Sequence, residues 1–207
     1  MRFVFAILAM FALATCASSG EDDRFRVGAS QRAFVIIGVA EAAENTSATY
    51  DLLWRRLDPN GNFTPEIDGG RTAFQAETNE RGTLRMRGIP GEFVMREIDP
   101  GVYALDSVFA VIADDRVNYI ANGVMTGPER PAFEVRAGEA IYLGIWQVNI
   151  EDVTAVARPW RLSEADLRAV LDRRDKVAGE VRLRETHTRA VPCTPQRLNS
   201  RSQRRVC

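Results

Sequence analysis

Short runs of β-type residues, broken at close intervals by turn formers, constrain this chain more than any other feature. Ala33-Phe34-Val35-Ile36-Ile37-Gly38-Val39 is apolar and β-branched between polar flanks, the pattern of a buried strand. Tyr50 to Leu57 reads as a strand closed by the turn Asp58-Pro59-Asn60-Gly61. Phe74, Ala76 and then Thr83-Leu84-Arg85-Met86-Arg87 alternate around the loop Asn79-Glu80-Arg81-Gly82. Glu92 to Ile98 and Val102 to Ile112 flank Asp99-Pro100-Gly101. Proline there presets the first turn angle and glycine supplies a positive φ, so a hairpin is expected. Val117 to Ala121, Ala132 to Val135 and Glu139 to Ile150 continue the series, with Ala137-Gly138 as another tight connection and Glu180 to Arg184 as a last short strand.

One helix is expected, over 163–174. Ser163 stands at its N-cap, Glu164 and Asp166 in its first turn, Leu167, Val170 and Leu171 on one apolar stripe, and Arg173-Arg174 at its end. Many short strands and a single helix predict a mainly β fold over 32–184. The expected form is one antiparallel β-sandwich of the transthyretin or immunoglobulin kind, not a βαβ fold.

Two segments carry a resemblance. Ile98-Asp99-Pro100-Gly101-Val102-Tyr103-Ala104-Leu105 and Phe133-Glu134-Val135-Arg136-Ala137-Gly138-Glu139-Ala140-Ile141-Tyr142-Leu143-Gly144 resemble the PG-x-Y hairpin and F-x-V-x-x-G-E-x-x-Y-x-G strand of small bacterial lipoprotein sandwich domains. The resemblance runs in order over about residues 33 to 174. It implies a fold and a compartment, and no chemistry.

The amino terminus points the same way. Arg2 precedes twelve apolar residues, Phe3 to Ala14, which as a helix would rise about 18 Å against a bilayer core of about 30 Å. A run this short with a charged start and small residues after it matches a secretory signal over 1–15. Leu13-Ala14-Thr15-Cys16 resembles a bacterial lipobox, with Thr15 where such sequences carry Gly, Ala or Ser. That resemblance implies acylation of Cys16, a tether over 16–31 and, with Ala17 after the cysteine, an outer-membrane lipoprotein facing the periplasm. Cleavage after Ala12-Leu13-Ala14 to give a soluble periplasmic or secreted protein, and a structural first helix, remain as alternatives. Of 27 basic residues only Lys176 is not arginine, which suits a GC-rich bacterial source.

Charge is segregated. From 176 onward eight basic residues face only Glu180 and Glu185, so this part carries +6, and residues 16–175 carry −8. Residues 185–207 therefore read as a basic tail, with Arg197, Arg201, Arg204 and Arg205 as candidate contacts for an anionic partner. The alternative is a solvated tail folded back onto its own acidic domain. Cys193 and Cys207 are the natural pair in an oxidising compartment once Cys16 is acylated. Such a bridge would close a basic ring, stabilise by about 3 kcal/mol and leave the core untouched. Zinc held by His187, Cys193 and Cys207 is the rival, and it lacks a fourth ligand.

Catalytic signatures are absent from the sequence: no G-x-S-x-G, H-E-x-x-H, P-loop or strand-following G-x-G-x-x-G. Asp114-Asp115 and Glu151-Asp152 are carboxylate pairs in principle, although adjacent acids on a strand point to opposite faces. Asp58, Asn60 and Asn62 start like a calcium loop, but Phe63 and Gly69 occupy its required glycine and acid positions. Asn45-Thr46-Ser47 is a sequon. Trp160, beside Pro159, is the tryptophan best placed to stack on a sugar, whereas Trp54 and Trp146 lie in apolar strands. The expectation is a non-enzymatic envelope interaction or structural module without cofactor, metal or nucleic acid. A carbohydrate or wall-polymer binder and a carboxylate-dependent hydrolase are the alternatives.

Overall fold

The computed structural model describes residues 23–41, 48–65, 71–78, 84–86, 89–113, 118–124 and 127–207. The signal segment, Cys16, the sequon and Asp114-Asp115 lie outside them. Along the chain come β1 (Phe25–Arg26), β2 (Ala33–Glu41), β3 (Ala48–Arg56), β4 (Ala73–Glu77), β5 (Leu84–Met86), β6 (Ile89–Ile98), β7 (Gly101–Ala113) and β8 (Asn118–Val124). There follow β9 (Glu129–Val135), β10 (Ala140–Glu151), β11 (Thr154–Arg161), the helix α1 (Glu164–Leu171), β12 (Val177–Ala178), β13 (Val181–Leu183), β14 (His187–Ala190), β15 (Gln196–Arg197) and β16 (Arg205–Val206).

Among the described residues two sheets face each other as a sandwich with one short helix. The first runs β11-β10-β2-β6-β5, with β13 on the same edge of β10 as β11; the second runs β14-β9-β7-β3-β4, with β8 also on β7. Between them lie Val35, Ile37, Val39, Leu52, Trp54, Leu105, Phe133, Ile141 and Trp146. Trp54 and Trp146 meet edge to face at 5.2 Å, the centre of an aromatic core that buries both. Alternate residues of β2 face the other way: Phe34 and Ile36 pack with Tyr142, Leu167 and Val170. The unbroken apolar run at 33–39 thus has a direct cause, because β2 is buried on both faces.

Several expectations need correction. Most strand pairs are antiparallel, but β10 runs parallel to both β2 and β13. Asp99-Pro100-Gly101 does not make a hairpin, since β6 pairs β2 and β5 whereas β7 pairs β3, β8 and β9. The turn carries the chain from one sheet to the other, and Tyr103 Oη fixes the corner at 2.8 Å from Asp99 O and 2.9 Å from Arg71 O. Ala137-Gly138 likewise passes between sheets. The helix is shorter than 163–174, and the Ser163 side chain makes no cap bond.

The folded body also exceeds 32–184 at both ends. Phe25 is buried, and β1 pairs β12, so residues 25–26 belong to the domain and not to a tether. On the other side β14 joins β9, and Val191 and Val206 are fully buried. The segment 185–207 folds back over the outer face of the second sheet, where Val206 and Leu198 cover Leu53 and Phe109.

Candidate functional site

The outer face of the second sheet carries charge that the fold buries. Alternation along β3 points Asp51, Leu53 and Arg55 away from the core, and β7 and β9 add Asp106 and Arg130. Arg55 Nη1 donates to Asp106 Oδ2 at 2.6 Å, with both side chains sealed from solvent, and Arg55 Nη2 donates to Thr64 O. Arg130, also fully buried, donates from Nη1 to Asp106 O at 3.0 Å and to Leu105 O at 3.3 Å. Burial lowers its pKa and the Asp106 charge opposes that shift.

Residues 193–207 close this cluster. Cys193 and Cys207 form a disulfide; their sulfurs ligate each other, which removes the zinc reading. The Cys207 N–H donates to Asp106 Oδ1 at 2.9 Å, and Arg130 Nη2 donates to Cys207 Sγ at 3.0 Å. The bridge is therefore seated in the body and does not merely tidy a ring of its own. Arg204 crosses to Asp51 at 2.9 Å and lies 5.1 Å over the Phe109 ring. The Asp51 pKa is pushed up to about 7, chiefly by burial and then by Glu77, with Arg204 opposing.

The candidate arginines consequently part company. Arg204 is committed to Asp51, and Arg201 sits exposed in the loop between β15 and β16. Arg197 and Arg205 are exposed and directly opposite each other across the β15–β16 ribbon. Both line an open groove of about 680 Å³ with Ile120, Asn122, Val153 and Gln203. Among the described residues no acidic side chain lines this groove or pairs with either arginine. Like charges opposed across a ribbon destabilise it, so the fold holds an arrangement that an anion would relieve.

Val153 at the groove's lip has the same character. The β10–β11 hairpin turns through Asp152 at φ 46° and Val153 at φ 64°, a left-handed pair that usually falls to Asn-Gly. A β-branched residue there is strained, and this one is 82% exposed. Sequence reasoning named Arg197 and Arg205 but missed Val153, Arg130 and Asp51. A lone acid in the apolar run Tyr103 to Ile112 was the available signal for a buried counter-charge.

Trp160 lies elsewhere. It lines a 340 Å³ pocket with Leu143, Ile145, Arg184 and Glu185, at the notch where the edge of β10 changes partner from β13 to β11. Gly144 makes the notch: its φ is +78°, and a Cβ would fall 2.5 Å from Arg161 O. Glu151 of the proposed acid pair is held by Arg158 at 3.1 Å, and Asp58 Oδ1 accepts the Asn62 N–H at 2.9 Å as a simple turn. Among the described residues no group of three His, Cys, Asp or Glu side chains could hold a metal, and no helix is long and apolar enough to cross a membrane. Comparison with known proteins finds no matching family model, no similar curated protein and no similar solved structure.

Proposed function

We propose that this protein is an exported, non-enzymatic interaction module of a bacterial envelope, lipid-anchored through Cys16, that engages an acidic surface of a partner protein in the Arg197/Arg205 groove. The opposed, unpaired arginines carry the reading, and the exposed Val153 beside them supplies the apolar contact that protein interfaces combine with arginine. The disulfide accords with an oxidising compartment. The test is an NMR titration of the chain with a short Asp/Glu-rich peptide at low salt. Saturable shifts confined to residues 120–122, 153–154 and 195–205, abolished by Arg197→Gln with Arg205→Gln, are expected. No saturable shift, or shifts that survive both substitutions, would refute it. Intact mass of the membrane fraction tests the anchor: the species should begin at an acylated Cys16.

A second reading is favoured by the Trp160 notch. A partly buried indole beside Glu185 and Arg184 suits the apolar face and hydroxyls of a saccharide. Trp160 fluorescence should respond to soluble wall fragments, and no response together with no retention on sacculi ends this reading. The hydrolase alternative gains no support from Glu151, because its carboxylate is taken up by Arg158.

A further inference from the structure

The two sulfurs of the bridge stand in different surroundings. Cys207 is held from within: its N–H is bonded to Asp106, its sulfur accepts from Arg130, and Val206 before it is fully buried. Cys193 lies between the exposed Pro192 and Thr194 and makes no hydrogen bond among the described residues. A thiolate displaces one sulfur of a disulfide in line with the bond, and negative charge develops on the other. Attack at Cys193 leads that charge onto the sulfur beside a guanidinium, where it is stabilised. Cys193 and Cys207 are buried to a similar degree, so the difference lies in charge: attack at Cys207 would leave it on a sulfur with no cation bonded to it.

We infer that the Cys193–Cys207 bridge is a directional thiol–disulfide exchange site for a dithiol reductant, which attacks Cys193 Sγ while Cys207 departs as a thiolate held by Arg130. In the first step a reductant thiolate bonds to Cys193 Sγ, the S–S bond breaks and its electron pair goes to Cys207 Sγ. In the second, the other reductant thiolate attacks its own bridged sulfur and expels the Cys193 thiolate, which takes up a proton. Two electrons pass to the protein and the reductant leaves as a disulfide. Opening the bridge unties Cys193, and with it the β15 side of the β15–β16 ribbon, while Cys207 stays bonded to Asp106 and Arg130. Arg197 on β15 thereby loses its fixed place opposite Arg205, and the loosening of the groove is a consequence that rests on the function proposed above.

The test is mapping of mixed disulfides on the full chain. Oxidised protein is exposed briefly to glutathione, quenched with iodoacetamide and digested. Glutathione on Cys193 with the alkyl group on Cys207 is expected to exceed the reverse by about tenfold. Equal adducts, or a majority on Cys207, would overturn the inference. Arg130→Met should slow reduction by dithiothreitol about tenfold and erase the bias, with Arg130→Lys restoring it. A misfolded Arg130→Met chain would instead be reduced faster than the native one, and the adduct ratio of the native chain then decides alone. Peptide binding by the oxidised chain tests the groove separately, so exchange and groove fail independently.

Discussion

Each sheet of the sandwich has a face turned from the shared core, and the chain covers the two faces by opposite means. Over the first sheet, α1 lays Leu167 and Val170 on Phe34, Ile36 and Tyr142. Over the second, residues 191–207, closed on themselves by the disulfide, meet Asp51, Asp106 and Arg130 through hydrogen bonds and an ion pair. An apolar cover is non-directional and scales with area, so it tolerates small shifts. A charged cover has little margin, because each buried ion depends on a partner at a set distance. One cover is therefore permanent, and the other is conditional on charge state and on the bridge.

The comparison breaks most readily at Asp106. Without it Arg55 loses the carboxylate it is buried against and Arg130 the charge that opposes its desolvation, and Asp106→Ala should cost about 3–5 kcal/mol in urea unfolding. A loss below about 1 kcal/mol would mean that the cluster is hydrated and that the covers are alike. Opening the bridge with Cys193→Ser and Cys207→Ser should cost about 3 kcal/mol by the loop-closure argument. Part of that loss should appear as selective loss of hydrogen-exchange protection over β15 and β16, with α1 unaffected.

Proton binding separates the covers next. Asp51 has its pKa raised from 3.8 to about 7, so the folded chain keeps a proton that the unfolded chain releases. Its contribution to stability is full below about pH 4 and is lost as pH climbs through about 7. Relative to Asp51→Asn, the native chain should lose on the order of 3 kcal/mol across that window. Urea midpoints that run parallel in the two proteins would place Asp51 in contact with water. Leu167→Ala is the control on the apolar side: about 2 kcal/mol, the same at pH 4 and pH 7, and the same oxidised or reduced.

How much of this was written in the sequence follows from the range of the forces involved. The sandwich was legible because alternation and turn residues act locally, and β2 announced itself as the apolar run of a buried strand. Which strand pairs which was not. Pro100-Gly101 specifies a turn, and nothing local says whether the strands beyond it pair or part. The β10–β11 hairpin was missed because Asp152-Val153 lacks the glycine that such a turn prefers, and Pro159 and Trp160 obscure the strand after it. The buried cluster was hidden for another reason. Arg130 meets Asp106 across 24 positions and Cys207 across 77, so no window of sequence contains the contacts that justify its burial. The arginines of 197–205 could be nominated by composition, but only the ribbon's register shows that 197 and 205 are opposed while 204 is spent on Asp51.

The smallest predicted effect is the most pointed. If the Arg197–Arg205 opposition were an accident of a basic segment, relieving it would cost nothing. If it is kept for an anionic partner, relieving it should trade binding for stability. Arg197→Glu converts a repulsive cross-strand pair into an attractive one, and the gain expected for such a pair is about 0.2–1 kcal/mol. The variant should therefore unfold at slightly higher urea than the native chain and bind the acidic peptide at least about tenfold more weakly, since one attractive contact becomes a repulsive one. Stability that rises while binding holds would leave the ribbon a plain structural clasp. Stability that falls would show that Arg197 already has a counter-charge in the folded protein, and the groove would lose its claim to be a site kept at the expense of the fold.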